Sequence, residues 1–178
     1  MSGAPDNFLQ RIIQIHQDLG IPGNYQENCK LPLCAEPSDL VATEPDYYQR
    51  PQKLTVSAHK AWLSMKMAAQ VDGVSLFLIS AFRSVEYQQT LWQKKLAEGR
   101  QLTEILTVIA APGYSEHHTG RAVDVSTNDC PALEVEFEKT QAFKWLTRKA
   151  GDFGFVMSYP EGNQYGITYE PWHWCFQV

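Results

Sequence analysis

Apolar residues recur at helical spacing in several stretches of the chain. This spacing predicts helices over residues 6–19, 57–71, 84–97 and 137–150, each followed within two residues by a glycine that can end it. The second and third helices each begin at a serine, which is the predicted N-cap. The apolar positions of residues 103–111 fit a helix or a strand equally well, so both assignments stay open there.

Four other stretches lack helical spacing and predict β-strands. Residues 74–80 form a short apolar run typical of a buried strand, and residues 121–125 alternate between polar and apolar side chains. Residues 155–157 and 169–176 predict two closing strands. Because the strands cluster late in the chain with helices around them, the pattern predicts an α+β fold with a small central antiparallel sheet, rather than βαβ repeats.

Length and charge narrow the class of protein. The 178 residues suffice for one domain with a real core. The formal net charge is −5 and no run of Lys and Arg stands out, which argues against a nucleic-acid partner. No apolar stretch approaches the ~18 residues of a membrane span. The first residues lack a secretory signal pattern, so the protein is either cytoplasmic or begins after a signal or anchor was removed.

Cysteines occur at positions 29, 34, 130 and 175. The four-residue gap between the first two does not match a redox motif, and no second pair follows that would complete a zinc finger. A Cys29–Cys34 disulfide is one interpretation if the protein is exported, and buried free thiols are the other.

The first candidate chemistry surrounds Gly120. A glycine at this position permits a turn, so that His117 before it and Asp124 in the predicted strand after it can aim at one point. Imidazole nitrogen and carboxylate oxygen both suit Zn²⁺. His118 should then point away from a metal that His117 binds.

A second candidate segment holds Glu170 and His173. Residues three apart on a regular strand point to opposite faces, which would separate these two side chains. Pro171 disturbs the strand ladder and can bend the chain between them. The alternative is an edge strand with an exposed Glu170 and a packed His173.

Together the two segments contain what a catalytic zinc site requires. Three ligands, His117, Asp124 and His173, leave a fourth position open for water, whose pKa the metal lowers toward about 7. Glu170 is the candidate base that removes the proton of this water. A structural zinc site would instead close the fourth position, and Cys175 is the candidate ligand for that alternative.

Arg83 is a further candidate because it directly follows a predicted buried strand and precedes a helix, where side chains often reach a cleft. A guanidinium in a cleft can bind a peptide carboxylate in a forked, charge-assisted pair. A surface salt bridge is the alternative.

Three motifs follow one another along the chain. They are Ser80-Ala81-Phe82-Arg83-Ser84 with Gln88, then Ser115-x-His117-x-x-Gly120-x-Ala122-x-Asp124, then Glu170-Pro171-Trp172-His173. This order resembles the VanY-type D-alanyl-D-alanine carboxypeptidases, which belong to a wider group of zinc peptidases with lysostaphin-like and hedgehog folds. The resemblance covers about residues 38–178, so we expect a catalytic domain there and an N-terminal helix with an extended arm over residues 1–37.

The resemblance implies a zinc enzyme that acts on peptidoglycan stem peptides or muropeptides ending in D-Ala. Such a substrate implies a periplasmic or cell-wall location, and we expect a monomer. The implied site residues are the zinc ligands His117, Asp124 and His173, the general base Glu170, the catalytic and substrate-binding Arg83, and the substrate-pocket residues Ser115 and Gln88.

Departures from the family pattern leave the choice of peptide open. Phe82 stands where Tyr is frequent, and Ser158 stands where a basic residue is common. A D-Ala-D-Ala dipeptidase, an L,D-carboxypeptidase and a peptidoglycan endopeptidase are therefore alternatives with the same site. A non-catalytic, zinc-containing muropeptide-binding module is an alternative of another class, and the presence of Glu170 argues against it because a binding module needs no base.

Overall fold

The computed structural model describes residues 4–177, which form helices and two separate sheets. The helices are α1 (Ala4–Leu19), α2 (Tyr25–Asn28), α3 (Val56–Val71), α4 (Val85–Ala97), α5 (Leu102–Val108) and α6 (Gln141–Lys149). The strands are β1 (Leu40–Ala42), β2 (Lys53–Thr55), β3 (Phe77–Ser80), β4 (Ala122–Ser126), β5 (Phe155–Met157) and β6 (His173–Phe176). Short 3-10 turns lie at Glu116–Thr119, Val135–Lys139 and Ala150–Phe153.

The larger sheet has the strand order β3-β4-β6-β5, and every neighbouring pair is antiparallel. The smaller sheet pairs β1 with β2, also antiparallel. Helices and 3-10 turns connect β3 to β4 and β4 to β5, whereas a segment of turns and irregular structure connects β5 to β6. No parallel crossover occurs among the described residues. This arrangement confirms the expected α+β fold with a small antiparallel sheet.

Two hydrophobic clusters hold the elements together. The first lies on one face of the larger sheet, where α3 and α6 contribute Trp62 and Leu146 to a cluster with Val123 and Val125 of β4. The second joins α1, α4 and α5 through buried apolar side chains such as Ile12, Trp92 and Ile105. Because side chains alternate along a strand, placing Val123 and Val125 in the first cluster directs Asp124 to the opposite face of the sheet.

Several predicted boundaries were wrong, and the following three each have a local cause. Helix α3 begins earlier than the predicted cap Ser57, because the Thr55 hydroxyl accepts the hydrogen bond from the Ala58 N–H at 3.3 Å. The predicted helix over residues 137–150 is interrupted at Thr140, whose extended backbone and hydroxyl cap the start of α6. The predicted strand over residues 169–176 begins only at His173, after the turn around Pro171.

The other segments refine the expectations from sequence. The ambiguous residues 103–111 are mainly the helix α5. Ser84 caps α4 as predicted, since its hydroxyl accepts the Tyr87 N–H at 3.1 Å. The predicted strand over residues 74–80 starts at Phe77, because the Val74 N–H instead closes the end of α3 by donating to Ala69 at 2.8 Å. None of the helices within residues 4–177 is long and apolar enough to cross a membrane.

Gly120 provides a test of how closely the chain packs beside β4. Its φ is +64°, and a Cβ there would lie 2.6 Å from Leu40 Cδ2 and 3.3 Å from the Thr55 nitrogen. Gly73 has a similar φ of +76° but open space around it. We expect Gly73→Ala to cost about 1 kcal/mol of unfolding free energy from the left-handed backbone alone, and Gly120→Ala to cost roughly 1–3 kcal/mol more from the added clash. Denaturant unfolding of both variants measures the difference, and equal losses would contradict the packing argument.

Candidate active site

Three of the candidate side chains converge on the face of the sheet opposite the first hydrophobic cluster. His117 comes from the turn Glu116–Thr119, Asp124 from β4 and His173 from the first position of β6. One donor atom from each lies within 4.8 Å of the others, and all three residues are buried. The Asp124 carboxylate lies between the two rings, with Oδ2 at 3.2 Å from His117 Nε2 and Oδ1 at 3.1 Å from His173 Nδ1.

Local structure explains why these residues meet. Gly120 ends the 3-10 turn in the left-handed conformation, and this reversal leads His117 back over the strand that follows. Asp124 and His173 are direct register partners in the antiparallel pair β4–β6. Directly opposite residues on neighbouring strands project to the same face, so the pairing itself places the carboxylate beside the imidazole.

The ring of His117 is held in one orientation by the backbone. Its Nδ1–H donates to the Ala81 carbonyl at 2.6 Å, because a carbonyl oxygen can only accept. Its Nε2 is buried and finds no hydrogen-bond partner within residues 4–177, since the 3.2 Å contact with Asp124 lacks hydrogen-bond geometry. A buried nitrogen lone pair without a partner, aimed at a carboxylate, fits a metal ligand.

His173 lies between two carboxylates. Its Nδ1 faces Asp124 at 3.1 Å, and its Nε2 faces Glu116 Oε2 at 2.9 Å. The ring of Tyr159 packs against the imidazole with ring centroids 4.8 Å apart. Glu116 was not among the residues chosen from sequence, although its position directly before His117 in the motif was a signal that could have found it.

Glu170 reaches the same place from a turn instead of a strand. The His173 N–H donates to the Glu170 carbonyl at 3.1 Å, which closes a tight turn around Pro171. The Glu170 carboxylate therefore lies on the same side as His173, with Oε2 at 3.8 Å from Nδ1. The bend expected at Pro171 is present, and the alternative of an exposed Glu170 on an edge strand was wrong.

Arg83, Gln88 and Ser115 border the same small cavity. It has a volume of about 30 Å³ and is also lined by His117, Tyr159, Glu170 and His173. Arg83 Nη1 donates to Gln88 Oε1 at 3.4 Å, and Gln88 Nε2 donates to the Ala110 carbonyl at 2.8 Å. The structure thus brings together every site residue selected from the sequence.

The guanidinium of Arg83 has donors that no described residue uses. Its Nη2 lies 3.8 Å from Asp124 Oδ2, and its Nε is buried with no hydrogen-bond partner within residues 4–177. An arginine in this condition is suited to receiving a carboxylate from a ligand, because two of its N–H groups can bind both oxygens.

His118 and Cys175 lie close by but face elsewhere. His118 Nδ1–H donates to the Arg83 carbonyl at 2.6 Å, and its Nε2 accepts the Gly113 N–H at 3.0 Å, so the ring supports the backbone around the site. Cys175 is buried and does not join the donor group of His117, Asp124 and His173. All four cysteines are free, so the structure contains no Cys29–Cys34 disulfide.

Burial and neighbouring charges shift the pKa values of the ionisable groups at the site in different directions. Burial and the nearby Arg83 lower the pKa of His117 to about 4, which keeps its imidazole neutral. Burial alone would lower the pKa of His173, but hydrogen bonds to Asp124 and Glu116 outweigh it and raise the pKa to about 10. Burial raises the pKa of Glu170 to about 7, with the Asp124 carboxylate adding to this effect and His173 opposing it.

The sequence profile of the VanY family of D-alanyl-D-alanine carboxypeptidases matches residues 51–178. The chain belongs to this family. A putative carboxypeptidase, YodJ of Bacillus subtilis (strain 168), is 32% identical over 178 residues, and the match covers 95% of this chain and 59% of YodJ. The chain thus spans less than two thirds of that relative. The bifunctional D-Ala-D-Ala dipeptidase and carboxypeptidase VanXYC of Enterococcus gallinarum is 30% identical over 79% of this chain and 75% of its own length.

Solved structures show the same fold. The LD-carboxypeptidase LdcB superposes with a TM-score of 0.72 at 29% identity, covering 82% of this chain and 71% of LdcB. A point mutant of the D,D-pentapeptidase VanY from a VanB-type resistance cassette, in complex with Zn(II), has a TM-score of 0.62 at 26% identity, covering 80% of this chain and 82% of that protein. The fold is therefore that of the hedgehog and D-Ala-D-Ala peptidase group.

The raised pKa of His173 predicts a pH dependence of stability. A group whose pKa is higher in the folded state stabilises the fold fully below its unfolded value of 6.5 and loses this contribution as the pH rises toward about 10. We therefore expect chelator-treated protein to become less stable between pH 6.5 and 10, and His173→Gln to flatten that slope. Denaturant unfolding at a series of pH values measures both proteins. Identical slopes would show that His173 is not the group responsible.

Proposed function

We propose that the protein is a zinc-dependent carboxypeptidase that removes the terminal D-Ala from peptidoglycan stem peptides. The observation that carries this proposal is the buried, unpartnered Nε2 of His117, which lies against Asp124 and His173 with Glu170 beside them. Membership of the VanY family supports the same activity.

His117 Nε2, the Asp124 carboxylate and His173 Nδ1 fit a zinc ion as a set of two imidazole nitrogens and one carboxylate. Such a three-ligand set is typical of catalytic zinc, whereas structural sites recruit a fourth protein ligand. Zinc held there would supply Lewis acidity that polarises a peptide carbonyl and acidifies water. Cys175 lies outside the donor group, which favours a catalytic role over a structural one.

Glu170 is the proposed general base. Its side chain is 13% exposed, and its Oε2 lies 3.8 Å from His173 Nδ1, beside the donor group. A general base works best with a pKa near the operating pH, and burial brings the pKa of Glu170 to about 7. In the proposed reaction Glu170 accepts a proton from the attacking water and later delivers it to the leaving amine.

Arg83 and the small cavity give the proposed preference for peptide ends. The unpartnered Nε of Arg83 is available to the terminal carboxylate of a substrate. The cavity of about 30 Å³ is bordered by Arg83, Glu170 and His173, so a chain end bound by Arg83 would lie next to the donor group. Ser115 and Gln88 complete this pocket, in which Gln88 also holds Arg83. These features favour release of a single alanine over cleavage inside a longer peptide.

An L,D-carboxypeptidase is the second candidate function, because the LD-carboxypeptidase LdcB superposes with a TM-score of 0.72. The two activities differ in the chirality of the residue before the scissile bond.

Peptidoglycan lies outside the cytoplasm, so either activity supports an extracytoplasmic location for the protein. We also propose that the protein acts as a monomer and that residues 38–178 form its catalytic unit.

Three substrates separate the enzymatic alternatives. We expect the zinc-loaded protein to release one D-Ala from a stem pentapeptide, and to act more slowly on a tetrapeptide and on free D-Ala-D-Ala. Mass spectrometry of the released alanine ranks the three. Faster release from the tetrapeptide would instead establish the L,D-carboxypeptidase, and muropeptide binding without release from any substrate would establish a binding module.

Removing the proposed base should strongly lower turnover but leave metal binding intact. We expect Glu170→Ala to lower kcat by about 10²- to 10⁴-fold, because a positioned general base contributes that much, while zinc content stays at the wild-type level. Released D-Ala and metal analysis of the purified variant measure the two quantities. The matched control is Glu161→Gln, an exposed glutamate in the preceding turn, which should behave like wild type. Wild-type turnover in Glu170→Ala would show that the assignment is wrong.

Arg83 should matter only when the substrate has a free carboxylate end. We expect Arg83→Ala to lower kcat/KM for a pentapeptide by about 10- to 100-fold, which corresponds to the loss of a charge-assisted hydrogen bond. A pentapeptide with a C-terminal amide should be a poor substrate of the wild type and lose little more in the variant. Arg148→Ala, on the exposed side of α6, is the matched control. Equal losses on both peptides would indicate a structural role for Arg83.

A further inference from the structure

Glu116 and His117 are neighbours in one 3-10 turn, yet they face different cavities. His117 borders the small substrate cavity of about 30 Å³. Glu116 borders a separate cavity of about 650 Å³, together with Arg121, Ser158 and Cys175. Glu116 does not line the small cavity, so it would act on the site through a side chain that it contacts.

That side chain is His173, whose Nε2 lies 2.9 Å from Glu116 Oε2. The other nitrogen of the ring, Nδ1, faces Asp124 and the centre of the donor group. A nitrogen that binds a metal must carry a lone pair, so the proton of a neutral His173 has to sit on Nε2. A carboxylate that accepts this proton in a hydrogen bond selects that tautomer and makes Nδ1 a stronger donor.

The arrangement differs from that of His117, whose Nδ1–H donates to the neutral carbonyl of Ala81. The two imidazoles of the site thus face the metal position through different nitrogens and are oriented by different kinds of acceptor. Tyr159 packs against the ring of His173 but provides no alternative acceptor for Nε2. Within residues 4–177, Glu116 is the group that fixes which nitrogen of His173 faces the metal position.

We propose that Glu116 is a positioning residue that holds His173 in the metal-binding tautomer from the side opposite the substrate. This inference rests on the proposed zinc site. It predicts that Glu116 controls how tightly the protein holds zinc without contributing to substrate binding.

Two substitutions separate the charge of Glu116 from its hydrogen bond. Glu116→Gln keeps an oxygen acceptor for Nε2–H but loses the charge, and Glu116→Ala loses both. We expect Glu116→Ala to weaken zinc binding by about 10- to 100-fold and Glu116→Gln to fall between it and wild type. Competition with a chromophoric chelator measures the zinc affinity without any need for substrate. The control Glu98→Gln, an exposed glutamate beyond α4, should bind zinc like wild type.

Three further measurements distinguish positioning from a general loss of structure. The ligand-field absorption of the Co²⁺-substituted Glu116→Gln protein should shift, because the donor strength of His173 changes. At saturating zinc, KM for the pentapeptide should remain at the wild-type value in both variants, because Glu116 does not border the substrate cavity. Thermal unfolding of the chelator-treated variants checks that both fold, and Glu116→Gln serves as the test if the alanine variant does not.

The proposal would be overturned if Glu116→Gln and a folded Glu116→Ala both bind zinc within about twofold of wild type and the Co²⁺ spectrum is unchanged. A carboxylate that hydrogen-bonds a metal-ligating histidine normally contributes more than about twofold. This outcome differs from failure of the proposed function. A wild-type protein that binds zinc but cleaves none of the peptides would contradict the peptidase assignment, while the affinities of the Glu116 variants would still decide the role of Glu116.

Discussion

The antiparallel pairing of β4 with β6 is the constraint on which the site depends, because it places Asp124 directly opposite His173. The alternation of β4 sends Val123 and Val125 into the hydrophobic cluster under α3 and α6, and this burial fixes which face Asp124 takes. A register shift of one residue would expose the two valines and bury the carboxylate in an apolar core. The free energy that stabilises the sheet therefore also specifies the geometry of the donor group.

Burial of so many ionisable groups in one place costs stability that the rest of the fold must supply. Burying any one of these charges alone would strongly destabilise the fold. Here the imidazole of His173 lies between the carboxylates of Asp124 and Glu116, and their attraction offsets part of the desolvation cost. The compensation is incomplete, since His117 Nε2 and Arg83 Nε have no partner within the described residues. Unsatisfied polar atoms of this kind are expected where a ligand completes the site, so the local deficit agrees with the proposed binding of zinc and a carboxylate.

The N-terminal helix supports the site even though the family match begins at residue 51. The His16 ring contacts the Pro112 carbonyl at 2.8 Å, and Ile12 packs so closely against Gly113 that a Cβ there would lie 2.8 Å from it. These contacts fix the segment that leads into Ser115 and His117. The position of the turn Glu116–Thr119 thus depends on α1 as well as on the sheet, and the second hydrophobic cluster shares residues with the lining of the small cavity.

The sequence by itself determined the helices with strong apolar spacing, the α+β class and the candidate site residues other than Glu116. It could do so because helical periodicity, a cap such as Ser84 and a glycine such as Gly120 act over a few residues. The tertiary structure alone decided what depends on contacts between distant segments: the start of β6 at His173, the choice of nitrogen on each imidazole, and the contact of Glu116 with His173 across 57 positions. A pattern along the chain indicates which side chains can bind a metal or a substrate. Only long-range strand pairing and packing determine which atoms of those side chains face one another.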